Sequence, residues 1–293
     1  MKDTLLTEEH KKEILKSIKE KNYPRIISIL EKIKTSHAGT AKTKDKRFTI
    51  SEIEKSVLDR GKNHDKDFYT VGSMFCKQKE DVAKEIGVAV IWRGYKTSPE
   101  KVKEVLLKIA DDPNWEVREY AGSAFANALY HNHDFYETLL IWTKHPSENV
   151  RRAVVFSAVA FRDKKNLSKA FRLLGILMFD SSKYVKKNLG PFILGSYFGN
   201  KFPEETLKKL KEWRKIRDGN VRWNIIMAFN NSFGNKYTKE ALEVLKYFAG
   251  DPDLSVKRAL FSTLNFFSKR HNKRVTAFKK KYKLSSKKDV IWE

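Results

Sequence analysis

Cysteine is nearly absent from the chain, since Cys76 is the single example in 293 residues. One thiol excludes an internal disulfide framework and leaves no pair of cysteines for a thiolate zinc site. The 7 prolines and 13 glycines are also few for this length, so residues that interrupt helices are scarce. Long stretches rich in Leu, Lys, Glu and Ala repeat with a period of about 3.6 residues, which predicts helices nearly throughout.

Several motifs are missing as well. No run approaches the roughly 18 consecutive apolar residues of a membrane helix, and the N-terminal residues MKDTLLTEEHKKE lack the apolar core of a signal peptide. Neither a glycine-rich phosphate loop nor the G-x-S-x-G turn of a serine hydrolase occurs. The pair His131 and His133 has no evident acid or thiolate partner. We expect no membrane partner, no nucleotide or other cofactor, no metal, and a cytoplasmic protein.

Acidic residues are outnumbered, with 36 Asp and Glu against 60 Lys and Arg. The formal net charge of +24 creates a strongly positive surface potential. A polyanion is therefore the expected partner, and with membranes set aside, nucleic acid is the expected polyanion.

A repeat is the most informative feature that the sequence does contain. A valine followed by a basic residue recurs after a short polar break, at intervals of 33, 35, 36 and 35 residues. Such intervals match two helices and two turns per repeat. The five pairs are Val117-Arg118, Val150-Arg151, Val185-Lys186, Val221-Arg222 and Val256-Lys257.

The composition of each break explains why it recurs. Pro, Asp, Asn and Ser end one helix and cap the free amides at the start of the next, and the valine then packs inward. One helix pair cannot bury both of its apolar stripes, so neighbouring pairs must stack on each other. The predicted fold is all-α, a HEAT-like or armadillo-type α-solenoid of stacked helix pairs. We expect residues 1–293 to form one domain and a monomer.

The two ends of the chain differ from the repeats. Residues 1–65 are predicted to hold two helices within 7–34, followed by a polar linker or mobile loop at 35–47 with no assigned structure. About six repeats follow in 66–270, the first of them a weaker copy near Phe68. Residues 271–293 form a basic extension, which fits either a DNA contact or a solvated tail.

Stacking the repeats would align the basic residues that start each second helix. Such a row would bind the phosphate backbone of double-stranded DNA without sequence specificity, in a nucleoid-associated protein. The alternative for each residue is a bridge to an acid of the adjacent repeat. The predicted DNA-binding residues are Arg118, Arg151, Arg152, Lys186, Lys187, Arg222, Trp223, Lys257 and Arg258.

Three segments resemble the HEAT-like DNA alkylation repair glycosylases AlkC and AlkD. They are DPNWEVREYA from Asp112, PSENVRRAV from Pro146, and DSSKYVKKNLG from Asp180 with the FPEETLKKLKEW that begins at Phe202. The resemblance covers roughly residues 68–235. It implies base excision repair, in which the enzyme hydrolyses the bond between deoxyribose and an N3- or N7-alkylated purine.

The resemblance also implies roles for individual residues. The family's catalytic acid falls on Glu119 and an active-site tryptophan on Trp115, and Arg151 or Arg152 matches a DNA-contacting arginine. At the place of the second active-site tryptophan of AlkD-like enzymes this chain has Pro191. The stretch after the VRR segment is apolar, whereas AlkC-like enzymes have an acidic, Arg-rich segment there.

Other interpretations remain open at this point. Glu119 could pair with Arg151 or Arg152 as an ordinary bridge between repeats, and Trp115 could pack over the start of its helix. For the whole chain, the alternatives to a glycosylase are a non-catalytic protein that binds branched or damaged duplex and a HEAT scaffold for protein partners.

Overall fold

The computed structural model describes residues 4–59, 61 and 64–284. Helices are the regular structure throughout these residues, which contain no strand. The chain divides into two compact units, the first ending at Ala160 and the second beginning at Phe161. Within the described residues no helix is both long and apolar enough to cross a membrane.

The described residues of the first unit form nine α-helices. After the first three, consecutive helices form pairs, and the second helices α5, α7 and α9 contact one another in turn. The helices are α1 Glu8–Lys19, α2 Tyr23–Lys32, α3 Thr43–Leu58, α4 His64–Cys76, α5 Asp81–Ile91, α6 Pro99–Ala110, α7 Trp115–His131, α8 Phe135–Trp142 and α9 Glu148–Ser157.

The second unit repeats this arrangement. A π-helical segment, Leu189–Gly199, continues α11 and packs against α12 and α13, and α13 packs against α16. The helices are α10 Leu167–Leu177, α11 Lys183–Asn188, α12 Pro203–Trp213, α13 Gly219–Met227, α14 Ser232–Lys236, α15 Thr238–Leu245 and α16 Leu254–Lys281. Each unit is thus a stack of helix pairs of the HEAT-like, armadillo type, which confirms the predicted fold class.

The repeat has one local geometry in all five copies. Each repeat valine is completely buried, and the residue three positions before it caps the helix by accepting a hydrogen bond from a backbone amide. These caps are Asn114, Ser147, Ser182, Asp218 and Asp253. The predicted role of the polar break is therefore confirmed, because it supplies the side-chain oxygen that the first turn of a helix lacks.

The predicted linker at 35–47 is wrong for its last five residues, because α3 begins at Thr43. Asp45 and Lys46 in its first turn are completely buried. Asp45 accepts hydrogen bonds from the amides of Leu5 and Leu6 and thereby holds the N-terminal segment. A run that is polar in sequence is helical here because its charged groups meet partners inside the unit.

Much of the basic C-terminal extension is also helical. The backbone of α16 leaves helical geometry at His271, with φ −130° and ψ 38°. The Nζ of Lys279 donates to the Oδ1 of Asn265 at 3.2 Å, although 14 residues of straight helix span about 21 Å. The arm after His271 therefore folds back on the first half of α16. The rest of the predicted extension, residues 285–293, lies outside the described residues.

Pro191 lies in the π-helical segment, three residues after the end of α11. A proline inside a helix lacks the amide hydrogen and crowds the preceding turn, so the wider π spacing accommodates it. The carbonyl oxygen of Pro191 accepts hydrogen bonds from Ser196 and Asn231. The residue that departs from the resembled family is thus an integrated part of the second unit.

Close packing of α4 on α5 requires Gly87, and this requirement gives a test of the fold. A Cβ added there would lie 2.6 Å from the backbone nitrogen and the sulfur of Cys76. We expect Gly87→Ala to lower the free energy of unfolding by about 2 kcal/mol through overpacking, measured by urea denaturation. Gly250→Ala is the control, because its Cβ would meet nothing within 4 Å. Equal stability of the two variants would contradict this packing.

Candidate functional site

An open cleft of about 490 Å³ lies along the first turns of α7. Trp115 and Glu119 both line it, as expected for two residues four apart on one helix. The Trp115 ring is 42% exposed and the Glu119 side chain 39%. The other lining residues are His37, Thr43, Arg47, Ala89, Glu116, Tyr120, Ser123, Ala124 and Asn127.

The Glu119 carboxylate forms an ion pair with Arg152 of α9. Arg152 is 5% exposed, and its guanidinium lies 4.6 Å from the centroid of the Phe156 ring. The bridge between repeats that the sequence left open is therefore present. It uses the Oε1 atom of Glu119 and leaves a partly exposed carboxylate beside the Trp115 ring.

The N-terminal part of the chain supplies the rest of the cleft. The His37 ring meets the Trp115 ring edge-on, with 5.3 Å between centroids. The Asn114 side-chain amide donates to the carbonyl of Ala38 at 3.0 Å, and the Thr40 hydroxyl donates to Glu116 at 3.0 Å. These contacts hold the segment between α2 and α3 against the start of α7.

The buried ammonium group of Lys46 lies next to this segment. The Nζ of Lys46 is 2.8 Å from a carboxylate oxygen of Glu85 on α5 and 2.8 Å from one of Glu116 on α7. It also lies 4.9 Å from the centroid of the Tyr120 ring. Lys46 and Glu85 are both completely buried. One positive charge is thus shared by two carboxylates, so that this cluster of Lys46, Glu85 and Glu116 carries one excess negative charge when all three are ionised.

Burial raises the pKa of Glu85 from its ordinary 4.5 to about 7, while Lys46 opposes the shift and Glu116 adds to it. The direction follows first from the burial of Glu85, and the single ammonium group of Lys46 does not neutralise both Glu85 and Glu116. The same environment raises the pKa of Tyr120, through burial first and then the charges of Glu85 and Glu116. With a pKa of about 7, the carboxyl group of Glu85 is partly protonated near neutral pH.

Three of the basic residues directly after the repeat valines donate hydrogen bonds to the loops that precede them. Arg118 donates to the carbonyls of Asp112 and Pro113, and Arg151 donates in the same way to His145 and Pro146. Arg222 reaches the carbonyl of Arg217 and also pairs with Asp251 at 2.6 Å. These arginines bind the free carbonyls at the end of one helix while standing at the start of the next.

The remaining predicted DNA-binding residues lie in the second unit. Lys186 is 9% exposed, donates to the Oδ1 of Asn220 at 2.8 Å, and lies 5.1 Å from the centroid of the Trp223 ring. Burial lowers the pKa of Lys186. Lys187 is exposed, and Trp223, Lys257 and Arg258 are half-buried. The charged groups of Arg152 and Lys186 thus face protein partners, whereas Lys187 faces outward.

Other aromatic residues belong to the core. Trp142 and Trp213 are buried, as their place at the ends of first helices predicts. Trp92 is buried as well, and its ring stacks on His131 at 5.0 Å. Among the described residues, no group of three or more His, Cys, Asp or Glu side chains is arranged to hold a metal ion.

His37, Arg47 and Lys46 are not among the site residues predicted from the sequence. All three lie in the stretch predicted to be a linker, about 70 residues away from α7 along the chain. One indication was available, because Lys46, Thr49, Ile53 and Val57 fall on one face of a helix. Those four are the buried face of α3 together with Asp45. Extending that face back from Ile53 would have placed Lys46 inside.

Comparison with known proteins gives a general likeness only. No protein-family model matches the chain, and no curated protein does. Among solved structures, YibA of E. coli is 18% identical with a TM-score of 0.40, covering 97% of this chain and 100% of YibA. A designed armadillo repeat protein, solved in complex with the peptide (KR)4, is 14% identical with a TM-score of 0.31, covering 87% and 98%. At these TM-scores the likeness is too loose to identify a family.

The raised pKa of Glu85 predicts a pH dependence of stability. Its pKa is higher in the folded chain than in the unfolded chain, so its contribution is complete below about pH 4.5 and is lost as pH rises to about 7. We therefore compare the free energy of unfolding of Glu85→Gln with that of the parent at about pH 5 and about pH 8. We expect this difference to change by about 2 kcal/mol in favour of the variant between the two pH values. Urea unfolding at both pH values measures this change.

Glu137→Gln, on the exposed surface of α8, is the control for the loss of one carboxylate. Its stability should follow that of the parent at both pH values. Parallel pH profiles for Glu85→Gln and the parent would show that Glu85 is ionised in the folded chain across this range.

Proposed function

We propose that this protein binds double-stranded DNA and excises N3- or N7-alkylated purines from it at the α7 cleft. The observation that carries the proposal is the juxtaposition of Trp115 and Glu119. An aromatic face and a carboxylate, both partly exposed, line one open cleft in a chain of net charge +24. The resemblance of the surrounding segments to the AlkC and AlkD glycosylases supports the same reaction.

The substrate explains why so few groups suffice. An alkyl group on N3 or N7 gives the purine a positive charge, so its bond to C1′ of the deoxyribose is weak. When that bond breaks, the base departs with the bonding electron pair as a neutral molecule, and positive charge develops on the sugar. A carboxylate beside C1′ stabilises this charge, and the face of an aromatic ring attracts the cationic base.

Glu119 is the carboxylate that this chemistry requires. Water adds its oxygen to C1′ and loses a proton, which the free carboxylate oxygen of Glu119 can accept. Arg152 holds the other oxygen, Oε1, from α9. Because Arg152 is buried and pairs with the carboxylate, it is a positioning residue that fixes the direction of Glu119. Trp115 lies one turn earlier and offers its exposed ring to the base.

DNA affinity in this proposal comes from cations that reach solvent. Lys187 is exposed, and so are Lys269, Arg270, Lys273 and Arg274 around the bend of α16. Phosphate contacts of this kind bind any sequence and release counterions. Arg118, Arg151, Arg222, Lys257 and Arg258 remain proposed DNA contacts in addition to these exposed cations.

The catalytic proposal is tested by substitution of Glu119. We expect Glu119→Gln to lower the rate of 3-methyladenine or 7-methylguanine release from methylated duplex by about 100-fold or more, because the negative charge beside the sugar is lost. The affinity for the duplex should change by less than about threefold, since Glu119 is not a phosphate ligand. Released base is measured by chromatography, and Kd by fluorescence anisotropy.

Glu137→Gln is the matched control and should release base at the parental rate. If the parent releases no methylated base while it binds duplex, the protein is a non-catalytic DNA-binding protein. If Glu119→Gln releases base as fast as the parent, the assignment of Glu119 is wrong.

Binding to undamaged duplex should depend steeply on salt. We expect Lys187→Ala to lower the slope of log K against log salt concentration by about 1, because one phosphate contact releases about one counterion. The control Lys12→Ala, on exposed α1, removes the same charge and should leave the slope unchanged. Identical slopes for the two variants would remove Lys187 from the interface.

A further inference from the structure

Arg47 is the one arginine among the described residues that line the α7 cleft. It stands in the second turn of α3, next to the buried Lys46, and its own side chain is exposed. The function proposed above uses the Trp115 and Glu119 side of the cleft and gives no role to this N-terminal side.

Arg47 is a cation at the cleft that could bind an anionic ligand, because the carboxylates nearby are paired with other cations. Glu116 is engaged by Lys46 at 2.8 Å, and Glu119 is engaged by Arg152. In the part of the chain that the structure describes, Arg47 forms no ion pair. Its positive charge nevertheless reaches the cleft, where it partly opposes the rise in the pKa of Tyr120 that burial and the charges of Glu85 and Glu116 cause.

The segment between α2 and α3, together with the first turns of α3, forms the wall of the cleft that carries Arg47. Contacts within the protein fix this wall before any ligand arrives. Lys46 ties α3 to Glu85 and Glu116, and Thr40 donates a further hydrogen bond to Glu116. The hydrogen bond from the Asn114 side chain to the Ala38 carbonyl holds the segment against the start of α7. The entropy of ordering this wall is therefore lost on folding, and a ligand that binds Arg47 does not pay it again.

A nucleotide in the cleft needs such a cation. A carboxylate close to the deoxyribose repels the two phosphates that flank the same sugar. A guanidinium on the neighbouring wall offsets this repulsion, and its planar set of donors matches two phosphate oxygens at once. Trp115, whose ring packs against the His37 ring at an interplanar angle of 83°, would then contact the base.

We propose that Arg47 binds the backbone phosphate next to the nucleotide whose base enters the α7 cleft. The inference rests on the proposed function, because it takes DNA as the ligand. It assigns to the N-terminal helices, which precede the repeats, a direct part in holding the substrate.

The test measures binding to a duplex oligonucleotide with one tetrahydrofuran abasic-site analogue. Two further duplexes each carry a neutral methylphosphonate at one of the two phosphates that flank the analogue. The proteins are the parent, Arg47→Ala, Arg47→Lys and the control Lys12→Ala. All are full-length, and their thermal unfolding is checked for equality. Kd values from fluorescence anisotropy at one salt concentration are compared.

We expect Arg47→Ala to weaken binding by about tenfold, as the loss of a charged hydrogen bond predicts. Arg47→Lys should recover part of this loss, because it keeps the charge without the planar fork. One of the two methylphosphonates should weaken the parent by a similar factor and leave Arg47→Ala nearly unaffected, since the contact is already absent.

Two results overturn the inference, and they differ. If the parent binds the duplex and Arg47→Ala behaves like Lys12→Ala with both methylphosphonates, Arg47 is not a phosphate ligand and the proposed function stands. If the parent binds neither this duplex nor undamaged DNA, the proposed function fails, and the role of Arg47 fails with it.

Discussion

The ammonium group of Lys46 lies inside the first unit, where two carboxylates share it. A buried charge is tolerated only with a partner, and removing one partner of such a pair costs several kcal/mol because the other is left uncompensated. The positions of α3, α5 and α7 are therefore coupled through one atom. Asp45, the residue before it, fixes the amides of Leu5 and Leu6. Two consecutive charged residues thus attach the N-terminal segment to the repeats, and the α7 cleft exists because they do.

The repeats themselves could be derived from the sequence because their chemistry is local and periodic. A buried valine, a polar break and a cap three residues before the valine recur at nearly constant spacing. Each of them favours the same local structure, a helix start with a capped first turn and an inward-facing valine. The first turn of α3 escaped the same reasoning. Its charged residues lie in the stretch predicted to be a polar linker, because composition alone does not reveal that Glu85 and Glu116, about 40 and 70 residues further on, are the partners of Lys46.

The candidate site divides along the same line. Trp115 and Glu119 are four residues apart in the sequence and so share one face of α7, and both line one cleft. The guanidinium groups of Arg118 and Arg151 bind backbone carbonyl groups of the preceding loops, and the pattern of side chains in the sequence does not predict these contacts. His37 and Arg47 reach the cleft from a distant part of the chain through tertiary contacts. Residue spacing along α7 therefore predicts one side of the cleft, whereas tertiary contacts bring in the other side.

The bend of α16 at His271 has a consequence for how the second unit ends. Repeat stacks expose an apolar side at their last repeat, and a second molecule can dock there and begin a filament unless that side is covered. Here Val275 and Phe278 of the returning arm are buried, and α16 contains no acidic residue along its whole length. A second copy of this arm would carry the same positive charges. Two such arms brought face to face would therefore repel each other, and the repulsion would be strongest at low ionic strength.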